Sequence, residues 1–377
     1  MTETARADDA SPIASDVIPG IGTTLAGITM VAMLVPVRRG VDDPVVWAGA
    51  AFAVAAVLAF LARRHADIGR RVAAPIAAVS SAAVVLLAGY TLNQGVMAST
   101  ALPAISVSIP IVFVAFLTAG LTAGIGVADY YDIGLAGLKR RSNQTLSLSV
   151  VGLAGLLAPM FVGAVLYLLA IPFIETLPEI ERAVAEQFIN QMGVIVGTAI
   201  VVGAFLRTTD RDLSYIDVRW PTLREIGWTV GGVMVLIGTV YAISLLMQST
   251  GVESAEHATT QDAAETPELM LLLVPIAILV IGPFEELLYR NIIQKSLYET
   301  FSRFGAVAVS SVIFAGVHAL AYATAGLGAV IASLGTVFGL SLVLGVIYER
   351  TDNLVVPALI HGLFNAVTFA NLYFIYS

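Results

Sequence analysis

Three short stretches near the end of a largely hydrocarbon chain hold the side chains that could do chemistry. "FEELLYR" supplies Glu285, Glu286 and Arg290, "FAGVHAL" supplies Phe314 and His318, and "HGLFNA" supplies His361 and Asn365. Ionisable groups at membrane depth are costly and usually face a cavity, so each is a candidate site residue. On a helix, Glu286 and Arg290, Phe314 and His318, and His361 and Asn365 each lie about one turn apart and share a face. Three helices can therefore aim polar groups at one point. Two imidazoles with one or two carboxylates match a hydrolytic zinc site that keeps a water position open. They match equally a metal-free site, where a carboxylate and a histidine activate water while a histidine and an amide stabilise the oxyanion. Both lead to hydrolysis, with Arg290 holding Glu286 ionised and oriented. Adjacent glutamates point ~100° apart on one helix, so only one readily joins the histidines. A metal would then have three protein ligands at most, and no carboxylate behind each imidazole beyond the second glutamate. The expectation is a site without a cofactor, with a divalent metal such as zinc as the alternative.

The elements that position these groups follow from composition. Hydrophobic residues make up 58% of the 377 residues and charged ones 12%, with a mean hydropathy of +0.89. The apolar residues fall in blocks near the ~20 residues that a membrane-spanning helix needs. The fold class expected is all-α, a polytopic integral membrane helical bundle of about eleven transmembrane helices. The blocks run Ile18 to Val37, Val45 to Ala62, Val72 to Leu92, Leu102 to Val127, Leu146 to Phe173, Ile189 to Leu206, Gly227 to Met247, Glu268 to Pro283, Gly305 to Ala323, Leu327 to Tyr348, and Leu354 to Tyr376. Cysteine is absent, which excludes disulfides and thiolate chemistry. The polar residues 1–17 lack the basic start of a signal peptide and read as a retained, disordered tail. Residues 18–140 read as a membrane bundle of unassigned role.

Lysine and arginine collect on the cytoplasmic side of membrane proteins. With the N-terminus inside, the inner connections hold Arg63, Arg64, Arg70, Arg71, Lys139, Arg140, Arg141, Arg207, Arg211, Arg219, Arg224, Arg290, Lys295, Arg303 and Arg350; the outer ones hold Arg38, Arg39 and Arg182. The prediction is a multi-pass cell-membrane protein with a cytoplasmic N-terminus and an external C-terminus. The outer stretches are acidic: "IETLPEIERAVAEQ" reads as an amphipathic surface helix and "GVESAEHATTQDAAETPE" as a flexible linker. His65 and His257 are expected to be solvated, and Asp129 and Asp132 to play interfacial roles at a span end. "RRHADIGRR" reads as a positive-inside determinant that touches anionic lipid headgroups. The spacings Gly120/Gly124, Gly193/Gly197 and Gly335/Gly339 read as helix-packing contacts.

"EELLYR", "FAGVH" and "HGLFN" together resemble the three motifs of the CPBP family of intramembrane proteases, the type II CAAX prenyl endopeptidases and their bacteriocin-processing relatives. All three occur in order with every defining position kept, over roughly Gly282 to Ala370. "LSYIDVRWPTLREIGW" is similar to the cytoplasmic stretch that often precedes the family's core. The resemblance implies a protease region over 146–377 with its motif-bearing core at about 268–376. It implies that Glu285 and His318 activate the attacking water, with Glu286 and Arg290 completing the first motif. His361 and Asn365 would stabilise the oxyanion, or His318 and His361 would bind a metal with Glu285 or else Glu286. Phe314 would pack behind His318.

The function expected is hydrolysis of a peptide bond in a membrane-associated, prenylated or otherwise lipidated peptide or protein near the cytoplasmic leaflet. Its partners would be membrane lipids and that substrate, with no nucleic acid. The rival readings are a catalytically silent scaffold of the same fold and a transporter; matching broken helices in two halves, the mark of many transporters, are missing. For Glu285 to meet His318, the eighth helix must run past Gly282-Pro283, and proline kinks are tolerated inside membranes.

Overall fold

The computed structural model describes residues 17–66, 68–102 and 105–377; the polar tail expected over residues 1–17 lies outside them except for Val17, which opens the first helix. The helices in chain order are α1 (Val17–Arg38), α2 (Pro44–His65), α3 (Arg70–Asn93), α4 (Ile111–Tyr130), α5 (Leu135–Ile174), α6 (Glu179–Thr208), α7 (Leu223–Thr250), α8 (Ala258–Glu265), α9 (Glu268–Leu297), α10 (Arg303–Val317), α11 (Leu327–Thr351) and α12 (Val355–Tyr376). Ten of these are long and apolar enough to cross a membrane. Helices suit lipid because they satisfy their own backbone hydrogen bonds. This is a multi-pass, all-α membrane protein. The remaining apolar helix, α10, has 15 residues, about 22 Å at 1.5 Å per residue. That falls short of the ~30 Å hydrocarbon layer, and its C-cap is His318.

The chain divides into two compact units, one reaching Ser142 and taking in Leu327–Ala332, the other Asn143–Gly326 with Ser333–Ser377. The first unit packs α1 to α4 through small side chains, among them Ala50, Ala53, Ala88, Ala115 and Ala119, which let helices approach closely. Asp129 is buried with Arg63 Nε 3.5 Å away, and Asp132 pairs with Arg70. His65 is exposed. The expected span from Leu102 is corrected: Thr100–Leu102 and Ile105–Ile109 are antiparallel strands, and the helix starts at Ile111. The alternating β-branched run "ISVSI" and the extended backbone of Pro110 favour that outcome.

In the second unit, the acidic stretch expected as a separate surface helix merges with the sixth span into the 30-residue α6. A Cβ at Gly193 would lie 2.7 Å from the Pro159 carbonyl oxygen, and Gly197 meets the Pro159 backbone, so this pair is a helix contact. Gly124 and Gly335 face open space, so the same expectation fails for them. The eighth span does not end at Pro283: α9 continues to Leu297. Two π-helical stretches, Ala277–Ile281 and Leu287–Gln294, flank Gly282–Glu286. Within a helix a proline clashes with the carbonyl four residues back and leaves it without its donor. The wider π turn just before Pro283 absorbs both effects, and such bulges recur at functional sites. A Cβ on Gly282 would sit 2.6 Å from the Ala358 oxygen, and one on Gly362 2.7 Å from the Ala277 oxygen. These glycines let the backbones of α9 and α12 touch, which brings His361 beside α9.

The segment before α7, over Leu213 to Asp217, fastens the far end of α9. Asp217 accepts from Lys295 Nζ at 2.7 Å and from Tyr348 Oη at 2.6 Å, while its N–H donates to Asn291 at 2.7 Å. The stretch "LSYIDVRWPTLREIGW" therefore anchors the core helices. Thr222 and Glu225 form a capping box that starts α7.

Candidate active site

Glu285 and Glu286 are neighbours with different surroundings. Glu286 and Arg290 are 0% exposed, whereas the side chains of Glu285, His318 and His361 are 30%, 20% and 11% exposed. Arg290 Nε donates to Glu286 Oε2 at 2.7 Å across one helical turn. His361 Nδ1 donates to the other oxygen, Oε1, at 2.9 Å. Glu286 is thus committed on both sides. The Arg290 guanidinium also lies 5.1 Å from the Phe314 ring centroid, a cation–π contact.

His318 caps α10, and its Nδ1 donates to the Phe314 carbonyl oxygen at 2.7 Å. Each Nδ1 meets a group that can only accept, a carbonyl for His318 and a carboxylate for His361, which fixes a proton there and turns Nε2 inward. Both Nε2 atoms face one atom, Glu285 Oε2, at 3.8 Å from His318 and 3.9 Å from His361. That oxygen is buried and has no hydrogen-bond partner among the described residues. Separations near 4 Å are too long for direct hydrogen bonds and suit a bridging water. Phe314 lies between the rings, its centroid 4.4 Å from a tilted His318 ring and 6.1 Å and 4.9 Å from the edge-on rings of His361 and Tyr289.

A cavity of about 510 Å³ holds Glu285, Phe314, His318, His361 and Asn365 in its wall, together with Gln191, Thr259 and Tyr322. A second, of about 290 Å³, reaches Glu285 and His318 along Gly155, Met160 and Tyr289. The structure therefore gathers all the expected site residues, with Glu286 and Arg290 directly behind the cavity wall. It also adds one that sequence reasoning set aside. His257, expected to be solvated in a flexible linker, lines both cavities. It is half-buried, caps α8 by accepting from Thr259 N–H at 3.1 Å, and packs edge-on against Tyr322 at 5.1 Å. The linker itself is ordered: Ala258 N–H donates to the Ala321 carbonyl at 2.9 Å, and Ser333 Oγ donates to the buried Ala255 carbonyl at 2.8 Å.

Residues 267–367 match the family model described as type II CAAX prenyl endopeptidase Rce1-like, and all three motifs fall inside that span. This stretch is an Rce1-like domain. No curated protein and no solved structure matches the chain. The domain is that of a membrane endopeptidase family, and the remainder of the chain lies outside the match.

Within the Rce1-like domain, Glu285, His318 and His361 have donor types that suit zinc. Donors around one tetrahedral zinc lie ~3.3–3.5 Å apart, given bonds of ~2.0–2.2 Å. Here the separations from Glu285 are 3.8 and 3.9 Å. No group of three or more such side chains is placed to hold one ion among the described residues. The imidazoles do have partners behind them, Glu286 and the Phe314 carbonyl. The carboxylate among them is the second glutamate, as the sequence led us to expect, and the carbonyl is a partner that leaves no mark in a motif.

Proposed function

We propose that the Rce1-like domain hydrolyses a peptide bond in a prenylated or otherwise membrane-associated peptide, using a water activated by Glu285 and His318 without a metal. The observation that carries this reading is the convergence of two Nε2 atoms on the unpartnered Oε2 of Glu285. A water between Glu285 and His318 can donate to the carboxylate and to the His318 Nε2 lone pair, leaving its oxygen to attack the carbonyl carbon. The proton taken by Glu285 then passes to the leaving amine. Glu286 holds a proton on His361 Nδ1; an imidazolium at this position would also carry Nε2–H. That group, with the Asn365 amide, would donate to the oxyanion as it forms. Glu286 and Arg290 are positioning residues in this scheme, which favours Glu285 as the base. Farnesylated CAAX peptide offered to the purified protein tests the reading, and activity is expected to survive chelation. One tightly bound ion per chain, whose removal and return switches cleavage off and on, would replace the metal-free scheme.

The loop charges support a cytoplasmic N-terminus; α10 together with the turn that follows it, which meets the segment after α7 through Ala258 N–H and the Ala321 carbonyl, would complete an eleventh crossing and put the C-terminus outside. On that orientation His257, Thr259 and Tyr322 belong to external connections. We infer that the reaction lies deep in the membrane beneath them rather than near the cytoplasmic leaflet. A Ser254→Cys variant of this cysteine-free chain is expected to label from outside the cell; labelling from the inside alone would reverse the assignment.

A further inference from the structure

His257 has a fixed tautomer and an unused hydrogen. Its Nδ1 accepts from Thr259 N–H, so in the neutral ring Nε2 carries the proton. Burial first and His318 second push its pKa down to about 4, which keeps the ring neutral at ordinary pH. Among the described residues Nε2 has no hydrogen-bond partner, and His257 lines the walls that hold Glu285 and His318. Its segment is pinned by Ala258 N–H to Ala321, Thr324 Oγ1 to the Glu256 carbonyl at 2.7 Å, and Ser333 to Ala255. A ring held so firmly offers a donor in a set direction. A second, independent observation concerns α6. Gln191 lines the larger cavity, and its Oε1 is buried with no partner among the described residues. A buried acceptor left empty is costly, by roughly 1–3 kcal/mol, which marks a place where a donor belongs.

A peptide backbone presents what these two groups lack, a carbonyl acceptor and an N–H donor. We propose that His257 and Gln191 are positioning residues that hold the substrate's peptide backbone beside Glu285, His257 Nε2–H donating to a backbone carbonyl and Gln191 Oε1 accepting a backbone N–H. The inference rests on the reading of this cavity as a peptide-hydrolysing site and adds the means of aligning the scissile bond. Neither residue belongs to the three motifs, and both stand on elements that precede them in the chain.

The test is binding of a fluorescent farnesylated peptide ending in a CAAX sequence, measured by polarisation with the full chain in detergent. Glu285→Gln protein serves as the base so that no cleavage intervenes. Added His257→Ser, which keeps a helix-capping oxygen, and added Gln191→Leu are each expected to weaken binding about 3–10-fold, the value of one neutral hydrogen bond. His257→Asn, which restores a donor beside the cap, is expected to recover part of the loss. In otherwise wild-type protein the same changes should raise KM more than they lower kcat. Equal binding by all variants, or no binding by the Glu285→Gln protein, overturns the proposal. Binding that depends on His257 and Gln191 without cleavage by wild type would leave the backbone contact standing and sink the hydrolytic reading instead. Cleavage by wild type with binding indifferent to both residues does the reverse.

Discussion

Replacing Glu285 by glutamine is expected to lower kcat about 10²–10⁴-fold, the contribution of a positioned general base, while the melting temperature stays near wild type. The substitution keeps shape and burial but removes the basic oxygen that faces His318 and His361. His318→Ala is expected to cost a similar factor, because its Nε2 shares the same water. The Glu285→Gln, His318→Ala double variant should be little worse than either single one, since groups that act on one water fail together. His65→Ala, exposed and in the other unit, serves as the control. A double variant whose losses multiply, or a Glu285→Gln protein that retains activity, would show that the two residues do not act on a common water.

The second large effect concerns stability. Arg290→Ala removes the cation that pairs with a carboxylate fully buried in a membrane-spanning helix. Breaking one side of a buried pair leaves an uncompensated charge and typically costs ~3–5 kcal/mol. His361 would be left as the remaining partner of Glu286, so activity should fall with stability. Arg290→Lys is expected to rescue little, because an ammonium cannot reproduce both the Nε hydrogen bond and the guanidinium's contact with the Phe314 ring. Adding Glu286→Gln to Arg290→Met should restore folding better than it restores cleavage, since removing both charges relieves the burial penalty but leaves His361 without its carboxylate. Thermal unfolding in detergent, followed beside activity, separates these outcomes. An Arg290→Ala protein as stable as wild type would mean that Glu286 is not charged in the folded chain.

The motif residues were legible because their partners sit one turn away on the same helix. Glu286 with Arg290 and Phe314 with His318 meet as that spacing requires. The division of labour between the two glutamates was not legible, because it depends on which one α12 approaches, and that contact runs through the backbones of Gly282 and Gly362. Span ends failed where backbone chemistry overrode hydropathy. A π turn carries α9 through Pro283, α10 stops at its histidine, and a pair of antiparallel strands replaces the first residues of the fourth expected span. His257 was hidden for another reason. Its neighbours in sequence are acidic and polar, and the contacts that turn it inward, to Tyr322 and through Ala258 to Ala321, come from residues more than sixty positions away.

We propose that the Rce1-like domain cuts a peptide bond with water activated at Glu285. Mass spectrometry of a farnesylated CAAX peptide after incubation with vesicle-reconstituted protein tests it most directly. The prediction is a pair of fragments whose masses add to the substrate plus one water, made by the wild type and by chelator-treated wild type, and absent with Glu285→Gln. Intact peptide in every sample, or the same fragments from the Glu285→Gln protein, would contradict it.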